Sequence, residues 1–203
     1  MIAIVNYGLG NLHSVHKAVV KAGGEALVTE DAADIRRADK IILPGVGAFA
    51  DGMQGLTERG LVEVVQGAAR AGKPLLGICL GMQLMFDEGE EQGVSQGLGL
   101  VPGRVRLFEN KTVKVPQIGW NQLHFEKDSS LLEGLQPGDY VYFNHSYYCE
   151  PAEQADTLIS TEYGLRYASA VQRGNLFGVQ FHPEKSQRVG LQILRNFVGW
   201  QHD

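Results

Sequence analysis

The chain has 203 residues, of which 44% are hydrophobic and 20% are charged, a composition typical of one globular domain. Its formal net charge of −5, without any long run of lysine and arginine, disfavours nonspecific binding to nucleic acid. No stretch approaches the roughly 18 apolar residues of a membrane helix, and the N-terminus lacks the basic start of a secretory signal. We therefore expect a single cytoplasmic domain over residues 1–203, with Cys79 and Cys149 as free thiols.

The first 90 residues alternate between short apolar strands and helices. The predicted strands are continuous apolar runs, as expected where a sheet is covered on both faces. These strands are Ile2–Val5, Ala26–Thr29, Lys40–Leu43 and 74–78, and the predicted helices are 11–22, 61–71 and 81–86. This alternation predicts an α/β fold with an open, mostly parallel sheet flanked by helices.

From about residue 101 the pattern changes to shorter strands with turns between them. The strands predicted there are 104–108, 113–115, 140–143, 157–161 and 168–172, followed by a last helix over 189–200. Such spacing favours a mixed or antiparallel C-terminal extension of the sheet over further strand–helix–strand units.

One cysteine lies between two glycines at the junction of a predicted strand and helix. Residues 77–81 read Gly-Ile-Cys-Leu-Gly, the pattern of a nucleophile elbow, in which a sharp turn projects the central side chain above the sheet. The first amides of the following helix point to the same place and favour a developing negative charge. An isolated cysteine in an apolar run is more often a packing residue, so a nearby base has to decide between the two interpretations.

A candidate base follows about 100 residues later. Residues 177–184 read Phe-Gly-Val-Gln-Phe-His-Pro-Glu, and His182 and Glu184 are spaced so that both side chains lie on one face of an extended chain. Glu184 then orients the imidazole while the other ring nitrogen faces the thiol of Cys79. The three residues predict a catalytic triad.

A glycine-containing loop after the third strand completes the predicted site. Residues 43–47 read Leu-Pro-Gly-Val-Gly. In hydrolases with a nucleophile elbow, the oxyanion hole combines the amide after the nucleophile with an amide from such a loop. This assigns one donor of the hole to Leu80 and the other to the loop. Taken alone, the glycines of this loop are better explained by an ordinary turn between a strand and a helix.

Together these motifs resemble those of the class I, or triad-type, glutamine amidotransferase family over almost the whole chain. The matching segments are 6–11, 43–47, 77–83, 119–121, 144–147 and 181–186. The resemblance implies that Cys79 attacks the side-chain amide of L-glutamine, that a γ-glutamyl thioester forms, and that glutamate and ammonia are released. It also implies Val46 and Gly47 as the donors that the loop contributes to the oxyanion hole. It further implies a group of substrate-binding residues, namely Gly45, Gln83, Glu91, Asn144, Ser146 and Tyr147. For the contact to the substrate ammonium, Glu88 and Glu90 remain alternatives to Glu91.

Within the family, the chain most resembles glutaminase subunits that pass ammonia to a (β/α)8-barrel cyclase subunit of histidine biosynthesis. That resemblance implies a heterodimer whose products are imidazole glycerol phosphate and aminoimidazole carboxamide ribonucleotide. It places Asn11, Trp120 and Lys185 at the subunit interface. We expect no cofactor, and no metal site, because His13 and His16 have no third ligand near them in sequence.

The residues leave other functions open. The chain could serve another amidotransferase as its glutaminase subunit, or act alone as a γ-glutamyl or cysteine hydrolase. A binding module with a silent triad is a third hypothesis. We also expect the peptide between Val46 and Gly47 to flip, so that the oxyanion hole forms only when the partner and its acceptor are bound.

Overall fold

A large mixed sheet runs through the protein, which a computed structural model describes for residues 1–109 and 113–201. The strands of the described residues are β1 (Ile2–Val5), β2 (Ala26–Thr29), β3 (Lys40–Leu43), β4 (Leu75–Ile78), β5 (Phe86–Gly89), β6 (Ser95–Gln96), β7 (Val101–Leu107), β8 (Gln117–Gln122), β9 (His124–Phe125), β10 (Tyr140–His145), β11 (Tyr147–Pro151), β12 (Thr157–Glu162), β13 (Arg166–Arg173) and β14 (Leu176–Val179), and all except β8 and β10 belong to the large sheet. The helices are α1 (Leu12–Lys21), α2 (Ala32–Arg37), α3 (Phe49–Glu58), α4 (Val62–Arg70), α5 (Leu80–Leu84) and α6 (Gln187–Gly199).

The parallel half of the sheet has the strand order β2-β1-β3-β4-β14. Strands β1 and β4 are buried at every residue, which agrees with their unbroken apolar sequences. The last strand of the chain, β14, therefore lies in the interior of the sheet, directly beside β4. This arrangement brings the segments after Ile78 and Val179 to one edge of the sheet, because parallel strands end on the same side.

Apolar side chains form a core on each face of the sheet. One core contains side chains of α1 and α6, including Val15, Val19 and Phe197, and the other contains side chains of α2, α3 and α4. Neighbouring residues of one strand contribute to opposite cores, as Ile41 and Ile42 do on β3, because side chains alternate along a strand. The predicted helical layers on both faces of the sheet are thus confirmed.

Beyond β14 the strand pairs are antiparallel except for β7 and β5, which run parallel to each other. Strand β13 pairs with β14, β12 and β11, and β11 continues through β7 to β5 and β6, while β8 and β10 form a separate antiparallel pair. The mixed extension predicted from the sequence is confirmed. The strand predicted over 113–115 is wrong: pairing begins at Gln117, after Pro116, which has no amide hydrogen to donate to a ladder.

The structure contains two helices that the sequence did not predict, α2 and α3, and one predicted helix, α5, is shorter than expected. Helices α2 and α3 follow short polar or glycine-containing segments, and we did not predict them. The helix expected over 81–86 is α5, which ends at Leu84, so that β5 begins at Phe86. The carbonyl of Met85 accepts from the amides of Leu100 and Val101, which draws the chain out of the helix and towards β7.

Candidate active site

Cys79 occupies a sharp turn between β4 and α5. Its backbone has φ 53° and ψ −110°, in a region that side-chain-bearing residues rarely adopt. The strain is held by neighbours, because the amide of Cys79 donates to Val179 O at 2.8 Å and the carbonyl accepts from Gln83 N at 3.2 Å. The predicted elbow geometry is therefore present, and Cys79 is 6% exposed at the carboxyl edge of the sheet.

The two glycines of the elbow are required by backbone contacts. A Cβ on Gly77 would lie 2.7 Å from Gly81 O, and one on Gly81 would lie 1.7 Å from Leu43 O, at the end of β3. No adjustment of a flexible side chain relieves such contacts, since the opposing atoms belong to the backbone. Because both positions lack a side chain, α5 can pack against the end of β4 at Gly77 and against β3 at Gly81.

His182 and Glu184 lie beside the elbow, just beyond the end of β14. His182 Nδ1 lies 3.0 Å from Glu184 Oε1, and a carboxylate only accepts, so the ring donates this hydrogen bond. The side chains are 3% and 1% exposed. The amide of His182 donates to Tyr142 O at 2.9 Å, and its carbonyl accepts from Ser186 Oγ at 2.6 Å. The backbone on both sides of the histidine is thus fixed.

The protonation of His182 follows from its two partners. Burial alone would lower its pKa, but hydrogen bonds to the side chains of Cys79 and Glu184 and their negative charge outweigh burial and raise the pKa to about 10. His182 is therefore an imidazolium at neutral pH, and it faces the sulfur on one side and a carboxylate on the other. This is the charge arrangement of a cysteine nucleophile with its acid–base partner.

A small cleft of about 120 Å³ opens in front of the sulfur. It is lined by Gly47, Cys79, Leu80, Gln83, Glu91, His145, Ser146 and Tyr147. Most of the residues that the resemblance assigned to the substrate or the oxyanion hole therefore surround one space. Among the described residues assigned to these roles, Gly45, Val46 and Asn144 do not line it.

The glutamate of the cleft is Glu91. Its Oε2 accepts from the amide of Phe49 at 2.8 Å, at the first residue of α3, where a negative charge is favourable. Glu90 instead pairs with Arg106 at 3.8 Å, and Glu88 lies on β5 opposite Gln96. The sequence could not separate these three glutamates, because the strand register decides which one reaches the cleft.

His145 is a cleft residue to which the sequence reasoning gave no role. Its Nδ1 donates to Tyr147 O at 2.7 Å, and its Nε2 lies 3.3 Å from the hydroxyl of Tyr167. Burial lowers the pKa of His145 to about 4, with a further lowering by His182, although the hydrogen bond to Tyr147 opposes the shift. The imidazole of His145 is therefore neutral at pH 7.

We expect His145 to make the protein acid-sensitive. The pKa of His145 is about 4 in the folded protein and 6.5 in the unfolded chain. The unfolded chain therefore binds more protons between these two pH values. The free energy of unfolding is then fully retained above pH 6.5 and falls as the pH drops towards 4, by about 3 kcal/mol from this group. Urea denaturation across this range measures the loss.

The matched variants are His145→Gln and His13→Gln. H145Q removes the titrating ring, so the unfolding free energy should fall less steeply with acid than in wild type. His13 is an exposed side chain on α1, and H13Q tests the same residue change away from the buried network. Equal slopes for wild type and H145Q would contradict the assignment.

The loop after β3 is held at both ends, by Tyr7 at Pro44 and by Glu91 at Phe49, but not at Val46 and Gly47 between them. The hydroxyl of Tyr7 donates to Pro44 O at 2.6 Å, and a Cβ on Gly45 would lie 2.2 Å from that hydroxyl oxygen. Val46 and Gly47 are exposed, Gly47 has φ 112°, and a Cβ built on Gly47 would meet only a side-chain carbon of Leu9, at 3.8 Å. Rotation of the Val46–Gly47 peptide therefore meets little resistance from packing, whereas Gly45 is fixed behind the cleft.

Two of the residues expected at an interface, Trp120 and Lys185, are exposed and contact the same tyrosine, Tyr142. Trp120, on β8, is 46% exposed, and its ring packs edge-on against Tyr142. The ammonium of Lys185 lies 5.8 Å from the centre of the same tyrosine ring. Asn11 is half-buried immediately before α1. Asn144 is also exposed, on β10, with its neighbour His145 turned inward.

The fold and the cysteine–histidine–glutamate site agree with comparisons to known proteins. The sequence profile of the family "Glutamine amidotransferase class-I" matches residues 3–200, and the chain belongs to this family. It is 52% identical to the imidazole glycerol phosphate synthase subunit HisH of Moorella thermoacetica, over 97% of this chain and 93% of that protein. It is 48% identical to the HisH subunit of Syntrophotalea carbinolica, over 97% and 98% of the two chains.

A solved structure supports the fold independently. A crystal structure of a glutamine amidotransferase superimposes with a TM-score of 0.77 at 19% identity, covering 98% of this chain and all of that one. At this identity the likeness concerns the fold alone. In the described part of the chain, no helix has the length and apolar character needed to cross a membrane.

Proposed function

We propose that this protein is the glutaminase subunit of an imidazole glycerol phosphate synthase. It hydrolyses L-glutamine to glutamate and ammonia, and the ammonia serves a cyclase subunit that makes imidazole glycerol phosphate and aminoimidazole carboxamide ribonucleotide. The observation that carries the proposal is the strained Cys79 with His182 and Glu184 beside it, in a chain about 50% identical to HisH subunits over nearly its whole length.

The first half of the reaction transfers the γ-glutamyl group to the sulfur. Cys79 Sγ attacks the carbonyl carbon of the side-chain amide, and a C–S bond forms. His182 then gives its Nε2 proton to the amide nitrogen, so the C–N bond breaks and ammonia leaves. Glu184 holds the ring through Nδ1 throughout, as its 3.0 Å contact and complete burial favour.

The second half hydrolyses the thioester. The now neutral His182 takes a proton from water, the resulting hydroxide attacks the thioester carbon, and the C–S bond breaks to give glutamate. The negative charge on the carbonyl oxygen is held by the amide of Leu80, at the first residue of α5, and by an amide of the Val46–Gly47 segment. Loss of one such donor typically raises a barrier by about 3–4 kcal/mol.

The cleft supports binding of an amino acid by its charged end. Glu91 brings a carboxylate to the cleft for the substrate ammonium, and Gln83, Ser146 and Tyr147 supply further polar groups. We assign Gly45 and Asn144 supporting roles at the margin of the site.

Both cores pack on the same sheet, which supports a single domain over residues 1–203.

The partner is proposed to be a (β/α)8-barrel cyclase that forms a heterodimer with this chain. Ammonia is protonated in water, so the reaction benefits from direct delivery to the acceptor. The exposed Trp120 and Lys185, which both contact the ring of Tyr142, support a docking surface there, and we assign Asn11 to the same interface. Tryptophan is enriched among the residues that contribute most to the binding energy of protein interfaces.

The two cysteines are free and buried, which suits a reducing, cytoplasmic setting.

We expect the isolated chain to be a poor glutaminase. The exposed Val46–Gly47 peptide leaves the oxyanion hole incomplete until a partner holds it, so a cyclase loaded with its acceptor should raise kcat by about 100-fold, the typical effect of one oxyanion donor. The measurement is glutamate release from glutamine, by the chain alone and with the cyclase subunit that is the natural partner of a related HisH subunit.

The partner surface is tested in the same assay. W120A should raise the cyclase concentration needed for half-maximal stimulation, whereas L27A changes an exposed apolar residue on the edge strand β2 and should not. Full activity of the chain alone would rule out control by the loop. Cleavage of peptides or γ-glutamyl chains, without ammonia release from glutamine, would replace the proposed function with that of a solitary hydrolase.

A further inference from the structure

A buried chain of hydrogen bonds behind the cleft ends on the catalytic sulfur. Gln180 lies between β14 and His182, and its side chain is fully buried. Its Nε2 lies 3.8 Å from Cys79 Sγ, and its Oε1 accepts from Gln83 Nε2 at 3.1 Å. Gln83 Nε2 also donates to Tyr147 O at 3.2 Å. Cys79 thus has two polar neighbours, His182 and Gln180.

The orientation of both amide side chains follows from one backbone carbonyl. Tyr147 O can only accept, so the group of Gln83 that faces it has to be the NH2. The second hydrogen of that NH2 then requires an acceptor on Gln180, which fixes Oε1 towards Gln83. The NH2 of Gln180 is consequently directed at the sulfur of Cys79.

The carbonyl that sets this orientation is itself held firmly. Tyr147 O accepts from His145 Nδ1 at 2.7 Å as well as from Gln83. Because His145 is neutral and buried, its Nδ1 hydrogen has a defined partner and the strand edge is fixed. The chain of contacts therefore runs from His145 through the Tyr147 carbonyl and two amides to Cys79.

We propose that Gln180 is a positioning residue for the nucleophile: its side-chain N–H donates to Cys79 Sγ, stabilises the thiolate and holds the sulfur between His182 and the cleft. A hydrogen bond to a charged group contributes more than one between neutral groups, and burial excludes competing water. Gln83 has a second role in this arrangement. With both of its hydrogens engaged, only its Oε1 is left to face the substrate, and it acts as an acceptor.

The inference rests on the proposed role of Cys79 as the nucleophile, and its test separates the two. Gln180→Met keeps the length of the side chain and removes the N–H donor. The pH profile of Cys79 alkylation by iodoacetamide should move its midpoint upward by about one to two pH units, which corresponds to the usual contribution of a hydrogen bond to a charged group. Alkylation at pH 7 should slow by about tenfold or more, and kcat should fall more than KM rises.

Gln172→Met is the matched control. Gln172 is a largely buried glutamine on β13, and its Oε1 lacks a hydrogen-bond partner among the described residues. Q172M therefore tests the same change of residue without touching the sulfur, and its alkylation profile should coincide with that of wild type. An unshifted midpoint in folded Q180M would overturn the role of Gln180. Failure of the wild-type thiol to react or to release ammonia would instead overturn the proposed function.

A measurement on the wild-type protein covers the case in which Q180M does not fold. In 15N-labelled protein, one side-chain amide proton of Gln180 should shift downfield as the pH rises through the alkylation midpoint. The same signal should not respond to pH over this range in C79A, which has no sulfur. An invariant signal in wild type would contradict the hydrogen bond to the thiolate.

Discussion

Cys79→Ala should abolish the release of ammonia from glutamine, with and without a cyclase partner. The substitution removes the atom that carries the γ-glutamyl group, and neither His182 nor Glu184 can replace it. Loss of a covalent nucleophile from a triad typically lowers kcat by about 10⁴-fold or more. The chain should still fold and bind glutamine, since alanine fits the elbow as well as cysteine does. Glutamate formation and glutamine binding by calorimetry measure the two parts separately.

Cys149→Ala provides the matched variant. Cys149 is the other cysteine of the chain and is also buried, but it lies on β11 opposite Val105, within the core on one face of the sheet. Its replacement removes a small apolar volume and should lower the free energy of unfolding by about 1 kcal/mol without changing kcat. Glutamine hydrolysis by C79A at a rate near that of wild type would refute the covalent mechanism.

Gly81→Ala should have the largest effect on stability of any glycine substitution in the elbow. The new methyl group would lie 1.7 Å from Leu43 O, so β3 and the start of α5 would have to separate. Both belong to the buried centre of the fold, and we expect a loss of about 3 kcal/mol or more in the free energy of unfolding. Urea denaturation gives this value, and any folded G81A should lack glutaminase activity because the elbow is displaced.

Gly67→Ala is the control for this glycine substitution. Gly67 lies inside α4, and a Cβ built there meets nothing within 4 Å. Alanine favours the helix and restricts the unfolded chain, so G67A should raise the free energy of unfolding by about 0.5–1 kcal/mol. Equal effects of G67A and G81A would show that the contact with Leu43 does not limit the fold.

The central part of the site could be predicted because it obeys local rules. A glycine–nucleophile–glycine pattern at a strand end requires one backbone geometry, and His182 and Glu184 are close enough in sequence to pair. The extended chain predicted between them is wrong: Pro183–Lys185 form a 3-10 helix, and the two side chains meet across this turn. The parallel strands β1 to β4 could also be predicted, because short, continuous apolar runs bounded by turns are typical of buried strands. The layers of the fold and the proximity of Cys79, His182 and Glu184 could be predicted from the sequence for this reason.

The remaining parts depend on register and on contacts between distant segments. Alternation along β10 places Asn144 and His145 on opposite faces, but no local rule says which one faces the cleft. Selecting Glu91 among three glutamates similarly requires the pairing of β5 with β6 and β7. Gln180 has no motif of its own, and its role emerges only from the carbonyl of Tyr147, a backbone atom with no sequence signature.

The interior position of β14 has a consequence for when the enzyme becomes reactive during its synthesis. The elbow segment leaves the ribosome about 100 residues before the histidine that completes it. Strand β14 then has to insert between β4 and β13, and it supplies the carbonyl that restrains the Cys79 backbone. A nascent chain consequently lacks the histidine that activates Cys79, and it should not hydrolyse glutamine. The ability to consume glutamine arises in one late step, together with the closing of the sheet.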